Sequence, residues 1–170
     1  MHNRVVGLLA ALALASCASI NDVDREALVA GGRYVAMGSS FAAGPQLGRA
    51  KENTPPRCTR DLGNYPTLLA ERLKLDLVEA TCSGATTAHV LGPWNELPAQ
   101  MDALTPDTRL VTITIGGNDV NYVRNLYAMA CPPLPAGQTC PFVMLPVEAD
   151  WAKLQSGLRK IAQEVRARAP

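Results

Sequence analysis

The sequence predicts an α/β fold with a parallel sheet for residues 32–170. Three apolar stretches have the composition of strands, and they lie at 33–37, 75–80 and 108–116. Segments with helical spacing follow the first and the third stretch. Strands that alternate with helices are typical of parallel sheets, because a parallel neighbour needs a crossover connection. A chain of 170 residues is long enough for one such domain.

The helix predicted after the first strand begins in the stretch "NYPTLLAERLKL". Asn64 is a residue type that caps helices, and Pro66 falls in the first turn, where a missing N–H is tolerated. Four leucines then follow at mostly helical spacing: Leu68, Leu69, Leu73 and Leu75. The next stretch, "LDLVEA", returns the chain to the sheet as the second strand.

The third strand and the last helix have the clearest periodicity. In "TRLVTITIG" the apolar residues Val111, Ile113 and Ile115 alternate with threonines, as expected of a strand with two different faces. The segment that starts at Glu148 carries apolar residues on one side of a predicted helix: Trp151, Leu154, Leu158, Ile161 and Val165.

The composition excludes some classes of function. Hydrophobic residues make up 48% of the chain and charged residues 18%, which is ordinary for a globular protein. Sixteen basic and fifteen acidic residues leave a net charge of +1, and no cluster of lysine and arginine occurs. Nucleic-acid binding is therefore not supported.

The first seventeen residues have the pattern of an export signal. Arg4 precedes an apolar run at 5–15 that is too short to span a membrane. The run ends in "LASC", which resembles the lipobox of bacterial lipoproteins, so we expect lipidation at Cys17 and a tether over 18–31. The alternative is an ordinary signal peptide that is cut near Ala18. Either way the protein is expected to be exported, and lipidation would anchor it to a membrane of the cell envelope.

Export would allow the other four cysteines to form disulfides. Cys58, Cys82, Cys131 and Cys140 allow three pairings, and sequence separation favours Cys131 with Cys140, which leaves Cys58 with Cys82. The alternative is a zinc site, but the close Cys-x2-4-Cys pairs typical of zinc sites do not occur in this sequence.

Polar motifs follow each of the three predicted strands. They are "GSSFAAG" at 38–44, "CSGATT" at 82–87 and "IGGNDV" at 115–120. Because the carboxyl ends of parallel strands meet at one edge of the sheet, where ligands bind, we expect these motifs to lie close together. The structural alternatives are that Ser40 caps a helix, that Gly84 only permits a turn, and that Asn118 with Asp119 caps a helix near Val120.

Together the motifs resemble those of the SGNH hydrolases, also called GDSL esterases and lipases. The first resembles the family's Gly-Asp-Ser block, and the third its Gly-x-Asn-Asp block. The resemblance implies a flavodoxin-like three-layer sandwich, with Ser40 as nucleophile and with Gly84 and Asn118 in the oxyanion hole. In the branch that the chain most resembles, the first disulfide matches Cys58 with Cys82. The implied activity is hydrolysis of carboxylic esters through an acyl-enzyme, which needs no metal or other cofactor.

The sequence departs from the family pattern at two positions. Ser39 stands where the family has Asp, and no Asp-x-x-His segment follows the third motif to supply the general base. The two histidines of the chain are His2, in the signal, and His89, which we expect to be a partly exposed helix residue. Three acids, Asp102, Asp107 and Asp119, are poor candidates for the triad acid.

The sequence ends just after the last predicted helix, where a doubly wound sheet would need another strand. We therefore expect a C-terminally truncated member of the family with little activity of its own and no base beside Ser40. The alternative function is a lipid-anchored pseudoenzyme that binds acyl or glycan ligands. A monomer is expected in either case. Phe41, Trp94, Tyr122 and Tyr127 are candidates for lining a pocket or for packing, and the substrate stays open.

Overall fold

The computed structural model describes residues 30–135 and 137–170. Three parallel strands form one sheet: β1 at Arg33–Gly38, β2 at Asp76–Glu79 and β3 at Thr108–Thr114. The sheet order is β2-β1-β3, so β1 is central. The predicted signal at 1–17, with Cys17 as its predicted lipidation site, and residues 18–29 of the predicted tether lie outside the described residues. Within the described ranges, no helix combines the length and the apolar character needed to cross a membrane.

Helices connect and flank the strands. They are α1 at Ser40–Ala43, α2 at Tyr65–Leu73, α3 at Thr87–Leu91, α4 at Tyr122–Met129 and α5 at Glu148–Arg168, with 3-10 turns at Pro56–Cys58 and Gln100–Ala103. The three predicted strands and the two predicted helices are all present. The predicted α/β class with a parallel sheet is therefore confirmed.

The central strand β1 separates two layers of the core. Val35 and Met37 are fully buried on one face, where Ile161 of α5 packs in the same cluster. Tyr34 and Ala36 are fully buried on the other face, against Ala70 of α2. Side chains alternate along a strand, so β1 must be apolar throughout to have helices on both faces. This requirement explains the uninterrupted apolar run of the first strand.

The alternation predicted for β3 follows the same two layers. Val111 and Ile113 pack against the cluster of Val35 and Met37. On the opposite face the hydroxyl of Thr112 lies 2.7 Å from the hydroxyl of Tyr34. A threonine therefore satisfies the polar end of a tyrosine that is otherwise buried, and burial raises the pKa of Tyr34.

A buried polar cluster fastens α2 to the sheet. The side-chain oxygen of Asn64 accepts from the backbone N–H of Thr67 at 2.9 Å, which is the predicted helix cap. The Asn64 amide also donates to the Ala43 carbonyl at 3.1 Å and to Glu79 at 2.8 Å. Glu79 is paired with Lys51 at 2.5 Å. One capping residue thus joins α1, α2 and β2.

Helix α5 is only partly buried along its predicted apolar side. Ile161 is buried and Val165 packs against the same cluster. Trp151 and Leu158, however, are 48% and 42% exposed. The helix meets α3 at Gly157, where an added Cβ would lie 2.6 Å from the hydroxyl oxygen of Thr87. The contact with α3 thus needs a residue without a side chain.

All four cysteines of the described chain are in disulfides. Cys58 bonds Cys82, and Cys131 bonds Cys140, which is the pairing that sequence separation favours. The first disulfide is buried and packs against Ala85. The second closes an exposed loop. Cysteines held in disulfides do not ligate zinc, so the zinc alternative is wrong.

We predict that the two disulfides stabilise the fold unequally. A disulfide stabilises the fold by lowering the entropy of the unfolded chain. This contribution is about 3.5 kcal/mol for the loop between Cys58 and Cys82, and about 2.7 kcal/mol for the loop between Cys131 and Cys140. The buried pair also fills core volume that alanines would leave empty. Urea denaturation of each double Cys→Ala variant should therefore show the larger loss for Cys58 and Cys82. An equal or larger loss for Cys131 and Cys140 would contradict this.

Candidate active site

Hydrogen bonds join the three predicted motifs at the carboxyl edge of the sheet. The Cys82 N–H donates to the Gly38 carbonyl at 3.0 Å, which links the second motif to the first. The Ser39 N–H donates to the Thr114 carbonyl at 2.9 Å, at the end of β3 that leads into the third motif. The Asn118 amide donates to the Ala85 carbonyl at 2.8 Å, which links the third motif to the second. Hydrogen bonds therefore connect the second motif to both of the others, and the first motif to the end of β3 that precedes the third.

The first motif makes an abrupt change from strand to helix. Gly38 ends β1 with φ at +136°, and a Cβ there would overlap the Thr114 carbonyl oxygen. Only glycine suits such a position. Ser39 is 3% exposed and occupies the cap position, whereas Ser40 begins α1. The helix-capping alternative for Ser40 is thus wrong, because Ser40 follows the cap.

The candidate oxyanion donors have contrasting surroundings. Gly84 is exposed in a turn with φ at +85°, and an added Cβ would lie 3.2 Å from the Trp94 ring. Asn118 is partly buried and held by its bond to Ala85. A side-chain amide has two N–H donors, so one bond to Ala85 leaves the second N–H for another acceptor.

Asp119 caps a helix, but a different helix from the one the sequence suggested. Its carboxylate accepts from the Thr87 N–H at 3.1 Å and from the Thr87 hydroxyl at 2.5 Å, at the first residue of α3. Helix α4 begins later, at Tyr122, after Asn121 with φ at +56°. The expectation that Asn118 and Asp119 cap a helix near Val120 is therefore wrong.

His89 lies in α3, as expected for a partly exposed helix residue. Its Nδ1 accepts from the Thr86 N–H at 3.0 Å, and its ring stacks on Trp94 with centroids 4.0 Å apart. A backbone N–H can only donate, so the neutral ring carries its proton on Nε2. Burial lowers the pKa of His89, Asp119 opposes this shift, and Arg57 adds to it.

The Ser40 hydroxyl has no hydrogen-bonding partner among residues 30–135 and 137–170, and neither His89 nor an acid pairs with it. Asp102 pairs instead with Arg168 at 3.2 Å. Asp107 is exposed and directly precedes the first residue of β3. It therefore lies at the amino edge of the sheet, opposite the Ser40 edge. Neither Asp102 nor Asp107 is therefore placed to act as the acid of a triad with Ser40.

An uncharged groove adjoins the candidate nucleophile. It has a volume of about 380 Å³ and is lined by Ser40, Phe41, Gly44, Pro45, Leu47, Val123 and Tyr127. Phe41 and Tyr127 are thus pocket-lining residues, and they are 59% and 70% exposed. Trp94 lines a different cavity of about 340 Å³, together with His89 and the disulfide of Cys58. We refer to the first as the Ser40 groove.

Two sets of contacts that hold the motifs in place were not predicted from the sequence. Gln100 bonds both backbone groups of Gly38, and Asp119 caps α3. Gln100 lies 62 positions from its partner, in a 3-10 turn that has no motif. Asp119 was seen in its motif, but a single sequence does not show that Thr87, 32 positions away, is its partner.

The fold and the three joined motifs define the chain as an α/β protein of the SGNH hydrolase class. A family model for GDSL-like lipases and acylhydrolases matches residues 36–170. The chain belongs to the GDSL-like lipase/acylhydrolase family. The family resemblance that the three motifs carry is therefore confirmed.

Relatives and solved structures agree with this assignment. Lipase 2 of Streptomyces coelicolor is 38% identical over 87 residues, which cover 51% of this chain and 29% of the relative. Lipase 1 of the same species is 32% identical over 127 residues, which cover 72% of this chain and 45% of the relative. The crystal structure of phospholipase A1 from Streptomyces albidoflavus matches with a TM-score of 0.62 and 28% identity, over 83% of this chain and 56% of that one. The chain thus spans less than half the length of the two lipases.

We predict that His89 makes the fold less stable in acid. Its pKa in the folded protein is lowered, so the unfolded chain binds the proton more readily below about pH 6.5. Stability should be fully present above this pH and should fall as the pH drops through the folded pKa. His89→Gln keeps a side-chain acceptor for the Thr86 N–H and removes the titration.

Urea midpoints at pH 5 and pH 8 would test this prediction. The loss of stability between pH 8 and pH 5 should be smaller in His89→Gln than in the wild type, whatever stability the variant loses at both pH values because the ring no longer stacks on Trp94. An identical acid loss in both proteins would show that other groups cause it.

Proposed function

We propose that the chain carries the acylating half of a serine ester hydrolase. Ser40 would attack the ester carbonyl, and the Gly84 N–H and the Asn118 amide would bind the negative charge that develops on the carbonyl oxygen. The observation that supports this most is the closed set of hydrogen bonds among the three motifs. Donors that are fixed before the reaction need no reorganisation as charge develops.

The chemistry also needs a base for the Ser40 proton. As Ser40 attacks, a base must take the proton of its hydroxyl and then give it to the departing alkoxide, which leaves as the alcohol; water then hydrolyses the acyl-enzyme. In this family a histidine takes that proton. The Ser40 hydroxyl has no such partner in the described part of the chain, so we propose that the chain lacks its general base. Loss of a triad member leaves only the catalysis that the oxyanion hole and binding provide.

The Ser40 groove supports an ester with an uncharged acyl group. Its lining holds no charged side chain, and Phe41, Leu47 and Tyr127 offer apolar surface beside the hydroxyl. An acyl chain placed there would remove this surface from water at about 25 cal/mol per Å². The names of the similar proteins, lipase and phospholipase A1, refer to lipid esters and agree with such a substrate.

A second candidate function is a pseudoenzyme that binds acyl or glycan ligands. The lack of a partner for the Ser40 hydroxyl within the described residues and the replacement of the family's Asp by Ser39 favour it. The two functions differ in one respect that can be measured. A pseudoenzyme binds the ligand without Ser40-dependent turnover, even when a base is added.

We also propose that the protein is exported and anchored to a membrane by a lipid on Cys17, and that it is a monomer. Two disulfides are typical of exported proteins. One of the similar solved structures is that of an extracellular lipase from Streptomyces rimosus. The "LASC" pattern at the end of the signal supports the anchor.

The first prediction from this proposal is that added imidazole activates the chain. Imidazole in solution would supply the missing base, and a positioned general base accelerates such reactions by about 10²- to 10⁴-fold. We expect imidazole to raise the Ser40-dependent hydrolysis of p-nitrophenyl acetate by about 10²-fold at most, because a base in solution is not positioned.

Imidazole also hydrolyses this ester directly, so Ser40→Ala in the same buffer gives the background rate. Ser39→Ala is the matched control, and it should only reduce the rate. Equal rates in wild type and Ser40→Ala at every imidazole concentration would exclude Ser40 as nucleophile. Tight binding of an acyl ligand without turnover would then favour the pseudoenzyme.

The second prediction concerns the oxyanion donor. Asn118→Ala should lower the imidazole-assisted kcat by about 10²- to 10³-fold, which is the usual loss for one oxyanion donor. Asn125→Ala is the matched control: Asn125 lies on α4 and its side-chain amide binds the backbone of Met144, so its loss should leave kcat unchanged. A similar loss in both variants would indicate a general structural defect.

A further inference from the structure

One buried side chain bonds both backbone groups of the residue that ends β1. The Gly38 N–H donates to Oε1 of Gln100 at 2.7 Å, and Nε2 of Gln100 donates to the Gly38 carbonyl at 3.0 Å. Gln100 is 6% exposed. Its neighbours Ala99 and Met101 are buried in the core cluster, which fixes the direction of the turn that carries it.

Gln100 occupies the place where β1 and β2 separate. The ladder between these strands ends at the pair of Ala36 and Glu79. Beyond it, the Ala80 N–H still donates to Ala36 and the Cys82 N–H to Gly38, but the Gly38 N–H is bonded to Gln100 instead of a strand. A buried N–H without an acceptor costs about 1–3 kcal/mol. The side-chain amide thus replaces the missing strand partner.

We infer that Gln100 is the positioning residue for the nucleophile. Gly38 lies two residues before Ser40, and its carbonyl also accepts from Cys82 in the motif that carries Gly84. Fixing the Gly38 peptide therefore fixes the turn into α1 relative to the second motif. This inference rests on the proposed role of Ser40, and Gln100 itself touches neither the Ser40 hydroxyl nor a reacting atom.

The side chain must combine one donor and one acceptor to perform this role. Methionine has a similar length and provides neither at useful strength, whereas glutamate provides both only when it is protonated. Once ionised, the carboxylate of a Gln100→Glu variant would face the Gly38 carbonyl with a negative charge. Gln100→Met and Gln100→Glu therefore test the role in different ways.

The first measurement is amide hydrogen exchange, which does not depend on activity. We expect the Gly38 N–H to lose at least about tenfold protection in Gln100→Met, since a tenfold change corresponds to about 1.4 kcal/mol and lies within the cost of an unpaired N–H. Gln163→Met, at an exposed position of α5, is the matched control and should not change the protection of the Gly38 N–H. Unchanged protection of Gly38 in Gln100→Met would overturn the inference.

The second measurement is the imidazole-assisted hydrolysis of p-nitrophenyl acetate, well below the melting temperature of each variant. Displacement of a catalytic group by about 1 Å can cost about 10²-fold, so Gln100→Met should lower kcat by about 10- to 100-fold with little change in KM. An unchanged kcat with lowered stability would assign Gln100 a structural role only and overturn the inference.

In Gln100→Glu, the bonds to Gly38 should be restored at low pH, where the introduced carboxyl group is protonated. Protection of Gly38, measured relative to the wild type at each pH, should approach that of the wild type at low pH and fall as the carboxyl group ionises. A pH-independent deficit would contradict the donor and acceptor roles. If the wild type shows no Ser40-dependent turnover with imidazole, the proposed function has failed, and the exchange of Gly38 alone decides whether Gln100 holds the turn.

Discussion

The backbone of Gly38 is the point on which the site depends. Its carbonyl accepts from Cys82 and from Gln100, its N–H donates to Gln100, and the next N–H, of Ser39, donates to β3. The close approach to Thr114 excludes any side chain at this position. These contacts set the direction in which the chain leaves β1, and therefore where Ser40 lies.

Burial, a buried amide and a disulfide together fix the position of the end of β1 and of the segments around it. Burial on both faces makes β1 the centre of the three layers, and it cannot shift by one residue without exchanging the two faces. Asn64 ties α1 to α2 and β2 through a single buried amide. The loop after β2 is held in turn by the disulfide to Cys58. The position of each motif thus follows from burial and from backbone bonds before any catalytic group is considered.

The sequence predicted the strands and main helices because their signals are local. The alternation of Val111 and Ile113 with threonines, and the cap at Asn64, depend on neighbours in the chain. The bonds from Gln100 to Gly38 and from Asp119 to Thr87 were not predicted, because they join residues that are distant in sequence and have no periodicity. The exposure of Trp151 and Leu158 was missed for a similar reason, since periodicity shows which residues share a face but not what covers it.

The group proposed as an oxyanion donor, Asn118, is held by a contact within the folded core, whereas the Ser40 hydroxyl is not. Asn118 and the Gly84 turn are held by bonds that also stabilise the fold, from Asn118 to Ala85 and from Asp119 to α3. The Ser40 hydroxyl forms no bond within the described chain, so nothing in the core depends on a base beside it. The hydrogen bonds that hold Asn118 and the Gly84 turn therefore form without any partner at the Ser40 hydroxyl. Within the described chain, the Ser40 hydroxyl thus lies beside an uncharged groove, in a turn that the core fixes without contacting that hydroxyl.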